Sequence, residues 1–199
     1  MKFDVSPAVW QFWSLSALAL IMLAALLTDL RRRCIPNKLI LLTLCAGLLT
    51  HVLGPVNDAG GLFSDRPGAL GAKGVLAGAL TGLTLFLPLY ALRAMGAGDV
   101  KLMAGIGSFA GPADTLNVAV VILLMGGVLS VARMLLGGTT RHVMANVMLV
   151  LSPVLHGGPR QFDAAKHSVD RMPYALAMVT GLLAYGSWLW LGGSPLFRF

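Results

Sequence analysis

Five stretches of this chain, 5–28, 39–57, 74–92, 115–132 and 172–197, contain no Asp, Lys or Arg. A helix rises about 1.5 Å per residue, so roughly 20 apolar residues cross the hydrocarbon of a bilayer. Lipid offers backbone groups no partners, which leaves the helix as the structure that such a run can adopt there. A sixth run, 102–113, is too short alone. It suffices if its helix begins at Asp99 and lies where the bilayer is thinned or neighbouring helices cover it. The expected fold is all-α: one integral membrane domain over residues 1–199, polytopic, with six transmembrane helices. The apolar run after Lys2 is longer than a signal-peptide core and lacks a small-x-small cleavage site, so it reads as a retained first helix.

The chain is 57% hydrophobic and 12% charged, against about 25% charged in soluble domains. A net charge of +7 raises nucleic acid as a partner. Nucleic-acid binders, however, gather basic residues on a solvated face with aromatic platforms. Here they fall between apolar runs, a pattern suited to anionic headgroups of the lipid bilayer. Positive loops stay in the cytoplasm. With the N-terminus outside, 11 Lys and Arg residues (Arg31, Arg32, Arg33, Lys38, Arg93, Lys101, Arg133, Arg141, Arg160, Lys166, Arg171) fall inside and 4 (Lys2, Arg66, Lys73, Arg198) outside. Both termini are therefore expected to be periplasmic or extracellular.

The Gly- and Pro-rich segment 54–71 reads as an outer loop. The long connection 137–171 contains an apolar part, 142–155, suited to an interfacial helix ended by Ser152-Pro153. Gly74, Gly78 and Gly82 recur every four residues and form a smooth face for close helix packing. Gly107, Gly111, Ala177 and Gly181 read likewise.

All 8 acidic residues are aspartates. Asp29 closes the first apolar run and Asp99 opens the fourth helix, both at the cytoplasmic edge in this topology. Ionisable groups at membrane depth cost roughly 2.5 to 3.5 kcal/mol on insertion scales and call for a reason. Taken singly, Asp29 pairs with a following arginine and Asp99 caps a helix. Two of them at one depth point instead to a functional pair. Carboxylates sharing a site hold one proton between them, so one takes a proton from water while the other donates to a carbonyl. The α-helix dipole favours an anion at an N-terminus, which makes Asp99 the expected base and Asp29 the expected acid.

Asp29 with Arg31, Arg33 and Ile35-Pro36-Asn37, followed by Gly96-Ala97-Gly98-Asp99-Val100-Lys101-Leu102, resembles the type IV prepilin peptidases, membrane aspartyl proteases with a GxGD motif. Pro173-Tyr174 before the last helix is similar to a weaker family feature. The resemblance implies that Asp29 and Asp99 are catalytic and that the substrate is a prepilin or pseudopilin. Its leader would be cut after a glycine, just ahead of an apolar helix, at the cytoplasmic face of a bacterial inner membrane. It implies neither cofactor nor metal. Larger members carry an N-terminal region with a CxxC-type cysteine set and also N-methylate the product. Cys34 and Cys45 cannot replace that set. The chain looks like the short, peptidase-only branch associated with Flp-type (tight-adherence) pili, and no methyltransferase region is expected.

Around the pair, Gly96 and Gly98 read as active-site loop residues that allow close approach or positive φ. Pro36 and Asn37 suit a helix start, with Asn37 as an N-cap, and a positioning role. Lys101, two residues from Asp99, points to another face and suits headgroup anchoring. The arginines are accounted for by topology. His51, His142, His156 and His167 share no metal-ligand spacing, and no Gly-x-Ser-x-Gly occurs. The alternative reading is a small proton-coupled transporter or channel using the same aspartates. Against it, no acid lies at the midplane.

Overall fold

The structure, a computed structural model, describes residues 6–57, 60–64, 67–92, 95–136 and 173–197. Among these, six helices follow one another: α1 (Pro7–Arg32), α2 (Asn37–Leu53), α3 (Gly71–Ala91), α4 (Ala97–Ala110), α5 (Pro112–Leu136) and α6 (Tyr174–Trp190). The expected interfacial helix at 142–155 lies outside the described residues. Three helices, α1, α3 and α5, are long and apolar enough to cross a membrane, and α2 is a shorter apolar helix.

The fourth helix is the centre of the bundle. From Val100 to Ala110 every residue except Lys101 is buried. The other helices close a ring around it in the order α1, α2, α3, α5, α6, each touching the next and α6 touching α1. Against α4 itself the main partners are α3 and α2, with α5 next and α1 making the sparsest of these contacts. Its 14 residues rise only about 21 Å, short of the roughly 30 Å of hydrocarbon. Enclosure by protein from Val100 to Gly111 is what permits so short a helix there, while Gly96 and Ala97 at its start are exposed.

Small residues make that enclosure possible. A Cβ on Gly78 of α3 would collide with the Gly107 carbonyl of α4 and lie 2.9 Å from the Gly111 Cα, and a Cβ on Gly107 would in turn collide with the Gly78 carbonyl. One turn along α3, Gly82 faces the Met103 carbonyl in the same way. On the other flank Gly47 of α2 meets Ser108, and Gly105 meets Thr43. Of the Gly74–Gly78–Gly82 face expected from the sequence, Gly78 and Gly82 form the α3–α4 contact, whereas Gly74 packs on Leu70 at the start of its own helix. The reversal from α4 to α5 uses one residue, Gly111, at φ 81°, a backbone state that other L-residues rarely adopt.

Each end of the bundle is tied separately. At the end carrying the 54–71 connection, the Trp10 indole donates to the Thr50 carbonyl at 2.8 Å and the Gln11 amide to the Leu62 carbonyl at 2.8 Å. Buried His51 accepts the Leu70 N–H on Nδ1 at 3.0 Å, so its proton is on Nε2, which donates to the Phe109 carbonyl at 2.8 Å. Asp114 receives the Phe63 N–H at 3.2 Å, and Asn117 receives the Phe197 N–H at 2.8 Å. The opposite end gathers the C-termini of α1, α3 and α5 and the N-termini of α2, α4 and α6.

Gly78→Ala drives a methyl group into the Gly107 backbone, where no side chain can yield. It is expected to cost about 2 kcal/mol or more, seen as a lower thermal-unfolding midpoint in detergent than that of wild type.

Candidate active site

Asp29 lies in the last turn of α1 on that helix's buried face, in line with Trp10, Ser14, Leu18, Met22 and Ala25. Steps of three or four residues put these side chains on one stripe, so the same periodicity that packs α1 also turns Asp29 inward. It is 6% exposed. Immediately past the helix, Arg33 takes the left-handed conformation at φ 50° and its N–H donates to the Asp29 carbonyl at 2.8 Å. That turn reverses the chain into Ile35-Pro36 and α2.

The Asp29 carboxylate is held from across the bundle. Its Oδ2 accepts the backbone N–H of Ala175 at 3.1 Å. Ala175 is the second residue of α6, where the helix has no internal use for the N–H and where its dipole is positive. The last turn of α1 and the first turn of α6 therefore meet through a carboxylate. Asp29 stands at two helix ends of opposite polarity, although the sequence shows only the C-terminus of α1.

Asp99 is half-buried at the third position of α4, after Gly96 as N-cap. The Gly96 N–H bonds its carboxylate, as when an acid at this position reaches back to cap its own helix. The two glycines of the Gly-x-Gly-Asp run act differently. A Cβ on Gly96 would sit 3.1 Å from the Asp99 Oδ2, whereas a Cβ on Gly98 would sit 3.3 Å from the Cβ of buried Ile35. Neither glycine has positive φ. Close approach, and not unusual backbone torsion, is what these positions require: Gly96 leaves room for the carboxylate, and Gly98 lets the Ile35–Pro36 link lie against α4.

Asp99 lies within electrostatic reach of Asp29 and of Tyr174, the first residue of α6. Helices α1 and α4 are in contact, and the pair sits at one end of the bundle. Pro36 is the N-cap of α2, and Asn37 is its first residue, not the capping residue expected from the sequence. The Asn37 Oδ1 instead faces the exposed Lys101 Nζ at 3.5 Å, a long contact at the solvent rim that is weak by geometry. Cys34 and Cys45 are free and exposed. Among the described residues no group of three His, Cys, Asp or Glu is placed to hold a metal.

Two features went unread in the sequence. The Ala175 N–H has no side-chain signature; Pro173 ahead of it, a residue that suits a helix start, marks only where α6 begins. His51 was assigned no role, yet it joins two backbone groups at the far end, and only the tertiary structure supplies those partners.

Such an arrangement suits hydrolysis of an amide. Two carboxylates at a half-buried rim can bind a water between them, one oxygen accepting its proton and another donating to the substrate carbonyl. The sequence pattern of the type IV leader peptidase family matches residues 16–131, a span that includes both aspartates and ends within α5. No curated protein matches the chain, and neither does any solved structure. With more than half of its length matched by that pattern, this chain belongs to the type IV leader peptidase family.

Proposed function

We propose that the protein is an aspartic endopeptidase that removes the leader of a prepilin or pseudopilin, with Asp29 and Asp99 as its catalytic pair. Family membership supports a protease acting on protein. The observation that carries the finer reading is the convergence of a buried and a half-buried aspartate at one bundle end, each held by a backbone N–H. The transporter alternative receives no support from the family match.

In this reading a water molecule lies between the carboxyl groups. One carboxylate takes a proton from the water as its oxygen attacks the scissile carbonyl carbon, and the protonated partner donates to the carbonyl oxygen. Collapse of the tetrahedral intermediate breaks the C–N bond, and the new amine leaves with a proton from the pair. No covalent enzyme intermediate forms. The excess of Lys and Arg in the connections at this end argues that it faces the cytoplasm of a bacterial inner membrane. A substrate then keeps its apolar helix in lipid while its leader reaches the rim. The short-branch resemblance makes a Flp-type pilin the preferred substrate.

Co-expression of the full chain with a prepilin-type fusion tests this. The fusion carries a basic leader ending in glycine, an apolar helix of about 20 residues and a tag. Wild type is expected to shorten the fusion on a gel, and Asp29→Ala and Asp99→Ala to abolish shortening; leader removal that survives both substitutions contradicts the reading. Gly98→Val sets a branched side chain against Ile35 and must displace the turn bearing Asp99. A shift of about 1 Å can cost on the order of a hundredfold, so cleavage is expected to fall at least about tenfold, with a smaller loss for Gly98→Ala.

A further inference from the structure

We propose that the first turn of α6 sets the geometry of the aspartate pair, with Tyr174 as a further positioning residue of the reaction. This rests on the peptidase reading above and extends it beyond the matched span, which ends at residue 131.

Consecutive residues of α6 address different carboxylates. The Ala175 N–H holds the Asp29 Oδ2 at 3.1 Å, and the half-buried Tyr174 phenol lies within electrostatic reach of Asp99. The phenol is itself seated on α5: a Cβ on Gly126 would stand 3.1 Å from the Tyr174 Oη and 3.3 Å from its Cε2. Gly126 thus gives the ring its place.

Such a device is needed because α1 packs on α2 and α6 far more than on α4. Direct packing between the two catalytic helices constrains the pair weakly. A second connection runs through α6, which bonds Asp29 at Ala175 and carries the Tyr174 phenol within electrostatic reach of Asp99. An aspartate carboxyl rotates broadly about its last torsion. Fixing Oδ2 by an N–H leaves Oδ1 as the oxygen free to face the water and Asp99. Orientation of this kind governs the rate at a reacting centre more than it governs binding, which separates it from a merely structural cap.

The experiment uses the full chain reconstituted in lipid vesicles with the prepilin-type fusion described above, and reads kcat, KM and thermal midpoint. Tyr174→Phe removes only the hydroxyl. It is expected to lower kcat about tenfold, with KM within about twofold and an unchanged midpoint. Gly126→Ala crowds the same hydroxyl while improving α5, since alanine favours a helix over glycine. The kcat is expected to fall again, with no loss of midpoint. Ala175→Pro deletes the N–H at a first-turn position, where proline is tolerated, and is expected to lower kcat about 10- to 100-fold, as loss of a hydrogen bond to a charged group implies.

If wild type cleaves, Asp29→Ala does not, and Tyr174→Phe and Gly126→Ala both keep the wild-type kcat, the positioning role is wrong while the peptidase reading stands. Loss of midpoint in step with loss of rate in these two variants reduces α6 to a structural support and also overturns the proposal. Failure of wild type to cleave refutes the peptidase reading, and the positioning role falls with it.

Discussion

Fourteen residues of helix cannot cross a bilayer, and the molecule is built around that shortfall. Because α4 does not reach from one interface to the other, its length from Val100 and its C-terminal end are met by protein, while Gly96 and Ala97 at its start stay exposed. The surrounding ring of five helices supplies this. It closes tightly only where side chains are absent: Gly78 against Gly107, Gly82 against the Met103 carbonyl, Gly47 against Ser108. The driving force for such contacts in lipid is close packing and not the removal of apolar surface from water. The small residues are therefore the main source of cohesion between α4 and its neighbours.

From this enclosure the site follows. The short central helix passes from exposed Ala97 to buried Val100 within its first turn, so the acid between them is half-buried. Asp29 arrives from α1, a helix that barely touches α4, and is captured by α6. The end that bears Asp29 and Asp99 is thus a meeting of helix termini: the last turn of α1, the first turns of α4 and α6, and the link through Ile35 and Pro36. Helix termini are where unsatisfied N–H groups are found, and both carboxylates use one. At the far end His51, Asp114 and Asn117 do comparable work with loop and terminal backbone, so the two ends are tied independently and the fold does not lean on the aspartates for its cohesion.

Most of the architecture was legible because its causes are local. Long uncharged runs define helices, a four-residue glycine repeat defines a packing face, and two acids at the ends of such runs stand out against an apolar background. The Gly-x-Gly-Asp run also stood out, but its physical reason was half-visible. Sequence allowed positive φ or close approach, and only the position of Ile35 decides for the latter. What lay beyond reach were partners distant along the chain. Asp29 looked like an acid at an unfavourable helix end, because nothing near it announces that Ala175, 146 residues away, brings a favourable one. The dipole argument that made Asp99 the base counted one helix where two bear on Asp29. Asn37 likewise read as a cap and turned out to be a helical residue facing Lys101, since Pro36 already supplies the extended residue that precedes the helix.

The central claim is that Asp29 and Asp99 face one another across the α1–α4 contact. Both native cysteines are exposed and free, so a Cys34→Ser, Cys45→Ser background offers a clean reporter. In it, Asp29→Cys combined with Asp99→Cys is treated in native membranes with a short bifunctional thiol reagent, and the product is mapped by peptide mass spectrometry. An intramolecular cross-link joining the peptides that contain positions 29 and 99 is expected. Full single-ended labelling at both positions, with no cross-link under conditions where each thiol reacts, would contradict it.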